Sequence, residues 1–310
     1  FGPNNPTLGN PDQTNGDVIA FGNANGALPT YVHPIVGDDD PFAQLEDNPI
    51  PLELVSDGVL SERMGIELVC AWTSSLGTAH VWYRLLNIGR PVAAMSGTDS
   101  WVDFHRTPAL GTGRTYVRAP QDASSDAVLG ATAEGKGFVT TGPALLFSMN
   151  DSAQPGDTIA SGAQSWQLTL ASTTAVDIVE IVVNGEVVKK LEGIAAGQQR
   201  DYSGDIDLPA GGWIAARAYA SEYQDDAWPT MHRRPFAHSS PIWLGEIGSF
   251  EPNARAQSAI DLIRAIDAAE EQARAAYGDV PTPKLDARFD EARAKLRSML
   301  IEEERVEPLP

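Results

Sequence analysis

The pair Asn184-Gly185 stands among β-branched residues in the stretch 178–188, and it constrains this chain more than any other short string. Both residues tolerate positive φ, which the tight two-residue turn of a β-hairpin demands. Two antiparallel strands are therefore predicted to meet there. Nearby, Trp166, Leu168 and Leu170 alternate with polar residues, and 213–219 and 241–244 supply further short apolar runs. Short strands with turn residues between them predict a β-sandwich of immunoglobulin-like type over 143–249.

The residues before 143 follow another pattern. A short helix is expected over 17–25. Residues 27–34 form an apolar run ending in His33-Pro34, 66–70 a second strand, and 92–99 a third that ends on Asp99. Between the last two, Val81, Trp82, Leu85 and Leu86 fall at helical spacing and Gly89 supplies a stop. Strand, helix, strand, each strand ending on a polar residue, reads as α/β, and such folds build their sites at the carboxyl ends of strands. After residue 250 the pattern changes again. Ile260, Ile263, Ile266 and Ala273 share one helical face, residues 278–283 break it, and Leu285, Phe289, Ala292, Leu296 and Leu300 start a second. That predicts an amphipathic helical hairpin over 250–310, a surface that could also join copies of the chain.

The chain has 310 residues, 42 acidic and 22 basic, for a net charge of −20. The last sixty residues account for −4 of this, which leaves −16 for the first 250. A body this acidic argues against nucleic acid, whose backbone needs clustered Lys and Arg, and against anionic membranes. It attracts divalent cations instead. Cys70 is the single cysteine, so no disulfide within the chain and no Cys-rich zinc module is possible. No run of about 20 apolar residues is present to span a membrane.

Five histidines stand at 33, 80, 105, 232 and 238. A metal hydrolase site needs imidazoles and carboxylates brought together from strand ends, with one position open for water. His33 and Asp99 end predicted strands, and Glu67 lies within the strand between them. Because it sits mid-strand, Glu67 reads as a residue behind the ligands or at the core edge rather than as a ligand itself, with direct ligation as the alternative. His105 lies six residues past Asp99 and could shuttle a proton, or be a plain surface histidine. Arg106 could hold an anionic substrate group. His80 reads as structural, and His238 as bonding backbone or reaching a domain interface. Asp38-Asp39-Asp40 could draw in a cation, though such runs are commonly solvated turns. The Trp residues of the β region read as core, with a carbohydrate platform as the alternative.

Longer strings sharpen this reading. His33-Pro34, Val81-Trp82-Tyr83-Arg84-Leu85-Leu86-Asn87, Gly97-Thr98-Asp99, Arg114-Thr115-Tyr116-Val117, Gly137-Phe138-Val139-Thr140-Thr141-Gly142-Pro143, Pro155-Gly156-Asp157, Val183-Asn184-Gly185 and Ala237-His238-Ser239-Ser240-Pro241-Ile242 follow in order. This series resembles the later part of the PHP-like metallohydrolases of the CehA/McbA type, over roughly residues 17–248. The resemblance implies that residues 1–142 are the C-terminal half of a distorted α/β barrel. It also implies a divalent metal (zinc, manganese or iron) and hydrolysis of a small-molecule ester, amide or phosphate by metal-activated water. His33 and Asp99 fall on metal-ligand positions of that pattern.

Two departures stand out. Trp101 occupies a position where the broader pattern has histidine, and the pattern's early His-x-His is absent. The chain is therefore read as the C-terminal part of a hydrolase whose His-x-His lies on another segment or chain, a reading that the opening on Phe1 favours. The alternative is a non-catalytic structural or interaction protein with a degenerate domain. The immunoglobulin-like module favours a periplasmic or secreted location.

Overall fold

Residues 13–37, 39–47, 50–70, 72–100, 108–222 and 234–304 are described in this computed structural model. The first helix, α1 (Asn15–Ala24), starts where Thr14 accepts the Asp17 N–H and Asp17 returns the bond to the Thr14 N–H, a reciprocal cap. Then come β1 (Thr30–Tyr31), α2 (Leu54–Leu60), β2 (Gly65–Val69), α3 (Ser75–Asn87) and β3 (Ala93–Ser96). The three strands form a parallel sheet in the order β1-β2-β3, with Thr30 opposite Gly65 and Gly65 opposite Ala93. Parallel pairing requires crossovers, and α2 and α3 supply them. Helix α3 is capped by the Ser74 hydroxyl, which accepts the Gly77 N–H at 3.1 Å, and ends at Gly89, where φ is +76°. The expected strand 27–34 is thus only two residues long, and α2 was not expected at all.

The rest of the chain to residue 244 is dominated by strands: β4 (Arg114–Val117), then α4 (Ser125–Ala133), β5 (Gly137–Thr140), β6 (Ala144–Met149), β7 (Thr158–Ile159), β8 (Gly162–Ser172), β9 (Val176–Val183), β10 (Glu186–Ile194), β11 (Gln198–Leu208), β12 (Trp213–Tyr219), β13 (Phe236–Ser239) and β14 (Ile242–Leu244). Among the described residues they form a large sheet in the order β10-β9-β12-β13-β5-β4, with β14 on β12 and β7 on β14, and a small sheet in the order β11-β8-β6. The boundary expected at 142/143 falls inside this region. Strands β4 and β5, upstream of it, pair into the large sheet through β13.

The two sheets face each other across one apolar core, in which Trp166, Leu168 and Leu170 of β8 meet Ile181, Ile214 and Ala216 of the large sheet. The opposite face of the large sheet is covered as well. There Val182, Trp213, Ala215 and Phe236 pack with Trp82 and Leu86 of α3 and with Leu262 and Ile266 of α5 (Pro252–Tyr277). A sheet buried on both faces needs apolar residues at successive positions. That is why Trp213 to Ala216 read as a continuous apolar run. At the Asn184-Gly185 turn φ is +50° and +88°, as the predicted hairpin between β9 and β10 requires.

Helix α5 starts on the Glu251 cap with Pro252 in its first turn, and Gly278 at φ +58° ends it. Helix α6 (Pro283–Glu304) returns along it, with Phe289, Ala292 and Leu296 in the core shared with α3 and α5. The predicted hairpin is present. The fold is thus mixed α and β: a β-sandwich, a layer of helices on its larger sheet, and a small parallel sheet at the amino-terminal side. No described helix is long and apolar enough to cross a membrane.

Candidate functional site

The carboxyl edge of the parallel sheet brings three of the expected residues together. His33 follows β1, Glu67 lies in β2, and Asp99 follows β3. Glu67 is only 6% exposed, and its Oε2 accepts the backbone N–H of His33 at 2.6 Å. Its Oε1 is directed at Gly97, where any Cβ would overlap it. The Cys70 thiol hydrogen-bonds to the same carboxylate. His33 and Asp99 are exposed, and both adopt left-handed backbone, at φ +33° and +51°. Non-glycine residues rarely take that conformation, which costs energy, and it concentrates at functional turns.

Electrostatics separates the members of the cluster. Burial pushes the Glu67 carboxyl above the usual range, while the bonds from His33 N–H and Cys70 and the nearby His33 imidazole pull it back. Burial pushes the Cys70 thiol up to about 11, and the charges of Glu67 and Asp99 add to this. Cys70 therefore stays a thiol at neutral pH, unsuited to nucleophilic attack.

One imidazole and two carboxylates suit a divalent ion chemically. Among the described residues, however, no group of three or more His, Cys, Asp or Glu side chains could hold a metal ion. His33, Glu67 and Asp99 thus make at most part of a shell. One oxygen of Glu67 is already engaged by a backbone N–H, which fits the supporting role weighed for it. The expected catalytic His105 and substrate-binding Arg106 lie outside the described residues, as do Trp101 and His232.

The other candidates have structural partners. Asp39 accepts from the Ser74 hydroxyl at 2.6 Å and pairs with Arg234 at 3.1 Å; Asp38 lies outside the described residues. Trp166, Trp213 and Trp243 are buried, so none of them offers a carbohydrate platform. Burial holds the His80 imidazole below its ordinary pKa. His238 is fully buried between α3 and the large sheet, with Nδ1 2.6 Å from the Ser239 carbonyl and Nε2 2.5 Å from Tyr83 Oη. Arg217 donates to Tyr83 Oη at 3.3 Å and pairs with Glu180 at 2.7 Å. Tyr83 sits inside the string that carries the family resemblance, but nothing in its spacing marks it as the partner of a histidine 155 residues away.

No family model matches the chain. No curated protein matches it either. Among solved structures it is similar to a lytic polysaccharide monooxygenase of Jonesia denitrificans, at 14% identity over 49% of this chain and 87% of that one, with a TM-score of 0.22. It is also similar to a chain named pT26-6p, at 11% identity over 63% of this chain and 45% of that one, with a TM-score of 0.23. The third is chicken MD-1 complexed with lipid IVa, at 12% identity over 34% of this chain and 89% of that one, with a TM-score of 0.17. TM-scores this low bear on neither the chemistry nor the fold.

Proposed function

We propose that the carboxyl edge of β1, β2 and β3 is part of the active site of a metal-dependent hydrolase, with the parallel sheet as the later part of a PHP-like barrel. The observation that supports this reading is the pair His33 and Asp99, both in left-handed backbone on either side of the buried Glu67 carboxylate. His33 and Asp99 would donate to a zinc, manganese or iron ion, and a His-x-His on a segment outside this chain would complete the shell. When bound, such an ion supplies a water acidic enough to be hydroxide near neutral pH. Glu67 holds the His33 backbone in place through its 2.6 Å bond and so positions the imidazole. His105 would move a proton, and Arg106 would hold the anionic part of an ester, amide or phosphate substrate.

The test is elemental analysis of the protein purified from its native source, together with hydrolysis of p-nitrophenyl esters and phosphates. Near-stoichiometric zinc, manganese or iron is expected, and His33→Ala and Asp99→Asn should each lose metal and activity while remaining folded. Activity and metal unchanged in both variants would refute the assignment. Native protein with neither metal nor hydrolysis would favour the second reading, a non-catalytic interaction protein. That reading draws support from the incomplete donor set among the described residues.

A further inference from the structure

A cleft of about 450 Å³ opens between α1, the turn from α2 to β2, and Arg288 of α6. It lies at the amino end of β2, whereas His33 and Asp99 follow the carboxyl ends of β1 and β3. Gly16, Ile19, Ala20 and Asn23 of α1 line it, at the spacing of one helical face. Leu60 adds to the apolar wall, and Arg63 and Arg288 bring charge. The Arg288 side is firmly built. Its guanidinium pairs with the fully buried Asp57 carboxylate and passes Gly16 so closely that any Cβ there would overlap it. A cleft of this size, apolar with a few polar groups, has the make-up of a small-molecule site.

The polar groups of this cleft are unanswered. Arg63 Nε, Arg288 Nε and Asn23 Oδ1 are buried and make no hydrogen bond among the described residues. Buried polar atoms are nearly always paired, and here three exceptions belong to the lining of one cleft. Arg63 goes further, for no carboxylate among the described residues pairs with it. The part-buried Arg84, Arg217 and Arg234 each have one, in Asp261, Glu180 and Asp39. Nor is Arg63 needed to cap α2. Arg90 takes the carbonyls of Gly58 and Ser61 at the end of that helix, and Lys295 takes that of Val59 at 2.9 Å. Water can answer an orphan atom, but it cannot balance the charge of a half-buried guanidinium.

We propose that this cleft binds a small carboxylic acid, as its anion, with an apolar body. Beyond Nε, the two terminal nitrogens of Arg63 match the two oxygens of a carboxylate. Turned about its last bond, the Asn23 amide presents N–H donors in place of Oδ1. The apolar body would rest on Ile19, Ala20 and Leu60. Charge selects a monoanion. Arg288 is already neutralised by Asp57, so Arg63 is the cation left to balance, and Glu62 on the lining repels a second negative charge. The proposal does not rest on the metal reading, because the two places lie at opposite ends of the parallel sheet.

The test uses the full chain and 4-(trifluoromethyl)benzoate, followed by fluorine NMR. Saturable binding is expected, with a Kd of about 1 mM or tighter. The corresponding benzamide, of the same shape without the charge, should bind about tenfold more weakly, and so should the acid to Arg63→Gln. Ala20→Glu, a change at an exposed helical position, sets a carboxylate beside the cleft to compete for Arg63 and should weaken binding to the same degree. The proposal is overturned if no saturable binding appears up to about 5 mM, or if the amide binds as well as the acid. It is also overturned if Arg63→Gln and Ala20→Glu both bind like the wild type, since the probe then sits elsewhere. Displacement of the probe by an equal concentration of inorganic phosphate would overturn the choice of ligand, since the apolar body would then contribute nothing.

Discussion

Tyr83 Oη lies 2.5 Å from His238 Nε2, and this one contact joins the helical layer to the centre of the large sheet. The tautomer follows from the partners. The Ser239 carbonyl can only accept, so His238 Nδ1 carries the proton and Nε2 accepts the Tyr83 O–H. Arg217 donates to the same phenol and is neutralised by Glu180, which leaves a chain of directed bonds with every member satisfied. A satisfied buried network of this kind fixes relative position, because any sliding of α3 on the sheet breaks several bonds at once. The parallel sheet that carries His33, Glu67 and Asp99 is built around α3, so its placement against the sandwich depends on this contact.

The buried imidazole makes stability depend on pH in a definite direction. Burial pushes the His238 pKa down to about 3; the Ser239 carbonyl opposes this and the Arg217 charge adds to it. In the unfolded chain the group titrates near 6.5. Between those values the unfolded state takes a proton that the folded state refuses. Stability is therefore flat in this respect above 6.5 and falls as pH drops, by about 1.4 kcal/mol per unit. Urea unfolding at pH 7 and pH 5 should show the wild type losing about 2 kcal/mol more than His238→Gln over that interval. Equal losses in the two proteins would sink the argument.

The elements readable in advance are those whose signals are local. Asn184-Gly185 marked its hairpin because the turn chemistry lies in two adjacent residues, and α5 and α6 were visible because their apolar faces repeat over many turns. The place of β5 in the large sheet was not legible because its partner β13 lies about a hundred residues away, and pairing at that range leaves no mark in the strand's own sequence; β4 follows it there by pairing with β5. The short helix α2 lacks a side-chain cap and follows Pro51, so it carries no start signal of its own. The positions of His33 and Asp99 just after β1 and β3 were legible from the apolar runs that precede them. Cys70 and Gly97 were not, since their roles are contacts with Glu67 across strands.

Gly97 is required by the Glu67 carboxylate. A Cβ at this position would overlap Glu67 Oε1, and the side chain could escape only by giving up the His33 N–H or the Cys70 thiol. Gly97→Ala should destabilise the protein by about 1–3 kcal/mol, the usual range for overpacking. Glu67→Ala removes the obstacle, so the double variant should be less destabilised than the sum of the two single changes. Chemical denaturation of the four proteins measures the coupling, and strict additivity would mean that Gly97 and Glu67 do not constrain each other.

Glu53 supplies a second pH dependence, of opposite sign and in another place. Its carboxylate, at the start of α2, accepts the Asn15 N–H at 2.9 Å and faces Asp57, which holds the Tyr31 hydroxyl at 2.7 Å and Arg288. Burial pushes the Glu53 pKa up to about 7, and the Asp57 charge adds to it. The folded state thus binds a proton that the unfolded state, titrating near 4.5, has already released. The stabilising contribution is complete below 4.5 and is lost as pH rises through 7. Glutamine keeps an acceptor for the Asn15 N–H and never ionises. Glu53→Gln should therefore leave stability unchanged at pH 4 and raise it at pH 8. The gain should be about 1 kcal/mol, smaller than the full shift implies because the group is partly exposed and screened by water. Thermal unfolding at the two pH values decides it: a gain of equal size at both would assign the effect to packing, and a loss at pH 8 would mean that the ionised carboxylate is the form the fold prefers.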